Sequence, residues 1–183
     1  MPVLWAALAI VGAICLLNLL LTIAVIRRLR EHTELINRGN AQASGQGEIT
    51  LPAGARVGDF RVVTGDNREV TRDDLREGLL VAFFSPRCPS CEEQKPAFVR
   101  YASGLSGGRD DVIAVLLGSP EELEGLREEL SGVAQIVIEA DVEGDMSTAF
   151  GLSGYPAFCL MGQDGVLAVT GYRVDILPGY VAL

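Results

Sequence analysis

Two cysteines separated by a Pro-Ser pair, Cys88-Pro89-Ser90-Cys91, follow closely on the apolar run Leu79 to Phe84. A cysteine pair at this spacing can cycle between dithiol and disulfide, supply half of a zinc site, or form a structural cross-link. Zinc needs a second pair of ligands, and the rest of the chain offers only Cys15, Cys159 and the lone His32. A cross-link closing so short a loop removes little entropy from the unfolded chain. Redox cycling is the reading that the surrounding pattern favours, with no metal or organic cofactor required.

The pattern is a strand giving way to a helix. Leu79 to Phe84 is short, continuous and apolar, as a buried strand is, whereas Glu92 to Tyr101 carries helix-forming residues. The first turn of a helix has unpaired N–H groups and the positive end of the helix dipole, and both favour a thiolate over a thiol. Cys88 receives that stabilisation, Arg87 beside it adds a fixed positive charge, and Pro89 and Ser90 complete the group expected to tune the thiolate. Cys91, one helical turn on, can reach the first sulfur and close the disulfide.

The elements that must hold this junction can be read on either side of it. Phe60 to Thr64 reads as a strand, Gly65-Asp66-Asn67 as a turn, and Glu69 to Thr71 as a second strand ending at a helix cap. Thr71 to Asp74 opens a one-turn helix that Gly78 closes. The cysteine helix runs from Cys88 to about Ser103, with Pro96 expected to kink it. Val112 to Leu117 is a second buried strand, and Ser119-Pro120-Glu121-Glu122 is a capped helix start for Pro120 to Leu130. Gln135 to Glu139 is a strand and Asp145 to Gly151 a short helix. Gly154-Tyr155-Pro156 turns into the strand Ala157 to Met161, and Gln163-Asp164-Gly165 turns into Val166 to Thr170. Alternating strands and helices followed by a hairpin describe an α/β domain, a mixed central sheet with helices on both faces.

The chain begins differently. Val3 to Ile26 is 24 residues without a charge, long enough to cross a bilayer as a single helix. It has no positive n-region and no small-residue cleavage site, so it reads as an uncleaved anchor rather than a signal peptide. Residues 1–37 are therefore expected to form the anchor with a short helical extension, 38–56 a flexible linker rich in Gly, Ala, Gln and Ser, and 57–183 the globular domain. All 24 Asp and Glu lie after position 30, against 12 of the 15 Lys and Arg, a balance of −12 over residues 31–183. So acidic a domain is a poor partner for nucleic acid.

Taken as a set, Gly58-Asp59-Phe60, Phe84-Ser85-Pro86-Arg87-Cys88-Pro89-Ser90-Cys91, Pro96, Gly154-Tyr155-Pro156 and Asp164-Gly165 resemble thioredoxin-fold proteins. Within that superfamily the chain is most similar to membrane-anchored thiol-disulfide oxidoreductases of the TlpA/ResA type and to the MauD-type accessory protein of methylamine utilisation. The resemblance covers about Val57 to Gly171. It implies a thioredoxin fold, a nucleophilic Cys88, a resolving Cys91, and a cis-proline at Pro156 that packs on the pair and presents the Tyr155 backbone to an extended client. Disulfide- or dithiol-bearing proteins are the implied clients, with a membrane electron donor or acceptor behind them.

Two departures stand out. Thioredoxin has a buried acid six residues before the first cysteine, where this chain has Ala82, and a tryptophan directly before that cysteine, where it has Arg87. Glu92 is a candidate proton acceptor in place of the acid. The stretch after Gly171 also lacks room for the usual terminal helix, which predicts an exposed apolar patch there or a partner covering it. A peroxiredoxin-type peroxidase, with a Thr or Ser three residues before the cysteine and a Pro seven before it, is matched by Ser85 but not by Val81. A non-enzymatic membrane assembly factor is the other alternative. The family resemblance places the domain outside the cytoplasm on a single-pass anchor in the cell membrane, whereas Arg27, Arg28 and Arg30 after the span argue for the cytoplasmic side.

Overall fold

The computed structural model describes residues 49–181. The expected anchor and most of the expected linker, with Cys15 and His32, lie outside the described residues. Among the described residues no helix is long and apolar enough to cross a membrane.

The domain opens with a small antiparallel hairpin of β1 (Arg61–Val63) and β2 (Glu69–Thr71). Its turn places Asn67 at φ 60°, a left-handed conformation that Asn tolerates better than most residues. A 3-10 turn at Arg72–Asp74 leads into β3 (Leu80–Phe84), which pairs in parallel with β4 (Val112–Leu117); β4 pairs in parallel with β5 (Gln135–Glu139). On the other side, β6 (Ala157–Met161) and β7 (Leu167–Gly171) add antiparallel strands, giving the order β5-β4-β3-β6-β7. This is the mixed sheet of the expected thioredoxin-like fold. β3 and β4 are buried at every position, which is why they read in the sequence as unbroken apolar runs rather than alternating ones.

Successive residues of β3 feed two separate cores. Val81 and Phe83 point into a cluster with Phe60, Val70, Met146, Phe150 and Cys159. Leu80, Ala82 and Phe84 point into another with Cys88, Cys91, Phe98, Leu123 and Phe158. The second face carries α1 (Pro89–Ser103) and α2 (Pro120–Ser131), and the first carries α3 (Asp145–Ala149). Phe98 anchors α1: its ring centroid lies 5.1 Å from that of Phe84 and 5.9 Å from that of Phe158, and the side chain is fully buried. Burying one such ring stabilises the fold by roughly 1.5–3 kcal/mol. The helix runs through Pro96 as one element.

Two segments depart from the sequence expectations. The stretch 49–56, within the expected linker, is held against the domain by backbone hydrogen bonds, Leu51 N–H to Phe150 C=O at 2.8 Å and Gly54 N–H to Leu167 C=O at 2.8 Å among them. After β7 the α1 face is closed by a 3-10 turn, Val174–Ile176, with Val174 and Leu177 buried. Two polar contacts tie it to α1: the Val174 N–H donates to Gln94 Oε1 at 3.0 Å, and the Tyr101 hydroxyl donates to the Pro178 carbonyl at 2.9 Å. The apolar patch expected there is thus largely covered by the chain's own tail.

Candidate active site

Cys88 sits at the N-cap of α1, in extended backbone, with Pro89 at the first helical position where its missing N–H costs nothing. The Cys88 sulfur accepts the Cys91 N–H at 3.1 Å, so the helix terminus uses this thiol as its cap. That is the strand-to-helix placement the sequence predicts. Pro89 and Ser90 are exposed on the first turn, and both cysteines are free thiols.

Tyr155 and Pro156 come to the same place from the loop before β6. The Tyr155–Pro156 peptide is cis, and the Cys88 thiol donates to the Tyr155 carbonyl at 3.4 Å. Pro156 is buried, whereas the Tyr155 side chain is 39% exposed. The expected pairing of the cysteine turn with this proline is therefore present. It arises because β6 pairs antiparallel with β3, so the start of β6 lies beside the end of β3.

The two sulfurs differ in exposure. Cys88 reaches the surface at 8%, whereas Cys91 is at 2% and faces the apolar cluster under α1. Burial pushes the Cys91 thiol far above the usual cysteine range, its hydrogen bond to Cys88 adds to that, and a backbone hydrogen bond from Ser85 acts in the opposite direction. Cys88 is thus the more exposed of the two sulfurs and Cys91 the more deeply enclosed.

Arg87 lies beside this pair but points along the surface. Its guanidinium is 3.6 Å from Glu122 at the start of α2, with the side chain 81% exposed. Glu122 also closes the capping box with Ser119, and those hydrogen bonds, with Arg87 after them, hold its carboxyl below the ordinary value. The Arg87 charge is therefore shared with a carboxylate. Glu92, the candidate proton acceptor, is engaged by Lys95 at 2.8 Å, and Lys95 also binds Glu129 at 2.7 Å. Cys159 lies on the opposite face of the sheet, paired in register with Val81, and its thiol contacts the hydroxyls of Thr50 at 3.8 Å and Thr170 at 3.7 Å. Among the described residues no three or more His, Cys, Asp or Glu side chains are grouped to hold a metal ion.

Residues 53–170, well over half of the chain, match the AhpC/TSA family. The chain belongs to the AhpC/TSA family. No curated protein matches it in sequence. Among solved structures this AhpC/TSA chain is similar to the thioredoxin domain of a thiol-disulfide oxidoreductase from Bacteroides vulgatus, at 18% identity and a TM-score of 0.56, covering 69% of this chain and 93% of that one. It is also similar to a thiol:disulfide interchange protein from a Bacteroides species, at 18% identity and TM-score 0.53, covering 68% and 84%. A thio-disulfide isomerase from Thermus thermophilus matches at 15% identity and TM-score 0.52, covering 67% and 87%. At these identities the likeness establishes the thioredoxin-like fold.

Two contributors to the site of this AhpC/TSA chain, and one residue that holds its tail on α1, were not visible in its sequence. The capping box marks Glu122 as a helix start, but only the parallel register of β3 and β4, with Phe84 opposite Leu116, brings that start beside the cysteine turn. The Ser85 backbone group acts on Cys91 whatever its side chain, so no residue type could have flagged it. Gln94 reads as an ordinary polar helix residue until the tail folds back onto it.

Proposed function

We propose that the chain is a membrane-tethered thiol-disulfide oxidoreductase that exchanges disulfides with protein clients through Cys88 and Cys91. One observation carries the reading: a thiol 8% exposed that caps a helix, a second thiol more deeply buried one turn behind it, and the Tyr155 carbonyl before cis-Pro156 within hydrogen-bond reach of the first. In the reducing direction the Cys88 thiolate attacks a client disulfide. A Cys88–client bond forms, the client S–S bond breaks, and the released client sulfur takes up a proton. Cys91 then attacks the Cys88 sulfur, expels the second client thiol and leaves the Cys88–Cys91 disulfide, so the client gains two electrons and the chain loses two. The Tyr155 backbone, next to the attacking sulfur, holds the client in extended form. Arg87, Pro89 and Ser90 tune the thiolate, with Arg87 doing so as half of an ion pair with Glu122. A membrane electron donor or acceptor resets the pair, and no metal or organic cofactor takes part.

Residues 1–37 anchor the domain to the cell membrane as a single span, with the catalytic domain outside the cytoplasm, where maturation of a client redox protein is the fitting task. A membrane-impermeant thiol reagent should label Cys88 in intact cells as fully as in lysed ones; labelling only after lysis would place the domain on the cytoplasmic side. Cys88→Ser should abolish exchange with a disulfide substrate, and Cys91→Ser should leave a persistent Cys88–client adduct. Full activity in either variant would overturn the assignment. A peroxiredoxin-type peroxidase shares this fold, and Ser85 meets that pattern, but the other required position is Val81, buried in β3 on the face away from the cysteines. Thiol-dependent consumption of hydrogen peroxide by the wild-type chain would favour the peroxidase.

A further inference from the structure

Exchange requires Cys91 to lose a proton, and among the described residues no buried carboxylate lies on its side of the sheet, while Glu92, the charged neighbour that acts on it, is held in an ion pair. The thiol is 2% exposed and lies in a cluster whose other buried members, Cys88 apart, are all apolar, Ala82, Phe84, Phe98 and Phe158 among them. β3 and β4 contribute no titratable side chain at all. On its own helix, Glu92 is bound to Lys95, and Lys95 in turn to Glu129; Glu93 is exposed to solvent. From the preceding loop and the start of α2, Arg87 and Glu122 bind each other. In the tail, Arg173 and Asp175 form their own pair at 2.8 Å, and before β6 the nearest ionisable side chain is the exposed Tyr155.

Among the described residues Glu139 is the buried carboxylate, and it is committed elsewhere. It accepts from the Met146 N–H at 2.6 Å and from the Ser147 N–H and hydroxyl at 3.0 and 2.6 Å. It caps α3, on the opposite face of the sheet from Cys91.

We propose that attack of Cys91 on the Cys88–client disulfide is limited by escape of the Cys91 proton to bulk solvent, so that the chain holds its client as a covalent adduct whose lifetime is set by pH. The proposal rests on the exchange function above and concerns its second step alone. Burial is the largest cause of the Cys91 shift, and it persists when Cys88 is tied up in the adduct, whereas the hydrogen bond to a free Cys88 thiol does not. A client lying over Cys88 shields Cys91 further. The step balances without a further reactant: the Cys91 proton passes to water, the Cys91 sulfur bonds to Cys88, and the client thiolate leaves and takes a proton from solvent. An external thiol attacking the client sulfur of the adduct releases the client as a new disulfide and returns Cys88 to the thiol. This second route, fed by a small thiol or by a second cysteine of the client, competes with Cys91 because its attacking thiol is exposed and so gives up its proton more readily.

The experiment uses the full chain in detergent micelles with glutathione disulfide as the probe. The Cys88–glutathione adduct is formed, excess disulfide is removed, the sample is jumped to a series of pH values, and acid-quenched aliquots are assayed by mass spectrometry with peptide mapping. The decay of the adduct to the internal disulfide should accelerate about tenfold per unit between about pH 6 and 9, because the rate follows the scarce Cys91 thiolate. Ala82→Asp puts a carboxylate on the α1 face of β3. It should speed the decay at neutral pH by at least about tenfold and flatten the profile. If that variant does not fold, the wild-type profile still decides. An adduct that forms on Cys88 but decays at the same rate across the series overturns this proposal and leaves the exchange function standing. Failure to form either adduct or internal disulfide at any pH overturns both.

Discussion

Cys91 and Cys159 are both buried thiols, but Cys159 has partners that make it a structural group. Burial pushes Cys159 up to about 11, while its contacts with Thr170 and Thr50 act the other way. The consequence for stability has a definite sign. Below about pH 9 the thiol is protonated in folded and unfolded chains alike; between there and about pH 11 the unfolded chain gives up the proton while the folded one keeps it. The unfolded state then binds fewer protons, so stability falls as pH rises through this window, by roughly 3 kcal/mol when complete. Cys91 contributes in the same direction. Subtracting the alkaline unfolding curve of Cys159→Ala from that of the wild type isolates the Cys159 share, and identical slopes would refute it. At this scale the cysteine pair was legible because its chemistry is carried by residue type and spacing, whereas Tyr155-Pro156 read as a turn and gained its role only through the family resemblance. The Arg87–Glu122 pair was not, because it joins side chains 35 positions apart that only the strand register aligns.

Among the elements, α1 combines structural and chemical duties. Its first turn holds both sulfurs, while Phe98, two turns on, fixes its height over the sheet. Phe98→Ala should cost about 3–5 kcal/mol, read from denaturant unfolding, because a ring enclosed by Phe84 and Phe158 leaves a cavity that a packed core closes only partly. A loss under about 1 kcal/mol would mean that the helix settles inward. The principal strands were readable to within a residue or two because β3 and β4 are covered on both faces and must be apolar throughout. The Val174–Ile176 turn was not. The buried Val174 within it and Leu177 just after it are set in a short segment with no helical or strand period, so their burial depends on where α1 lies.

For the molecule as a whole, that turn packs into the cluster on the face of the sheet that carries α1. Leu177 is 3% exposed and Val174 fully buried against the α1 core. Leu177→Ala should therefore destabilise the domain by about 2–5 kcal/mol and expose apolar surface to a hydrophobic dye. Unchanged stability with no added dye fluorescence would show that the tail is dispensable. The sheet beneath it has a different consequence. The domain carries three thiols, Cys88, Cys91 and Cys159, and three reactive thiols in one small protein ordinarily permit three internal bridges. Here a layer of backbone with its two dense apolar linings separates Cys159 from the other two. Among the described residues two of the three internal pairings are thereby closed while the fold persists, and Cys88–Cys91 is the internal bridge left for an oxidant to form.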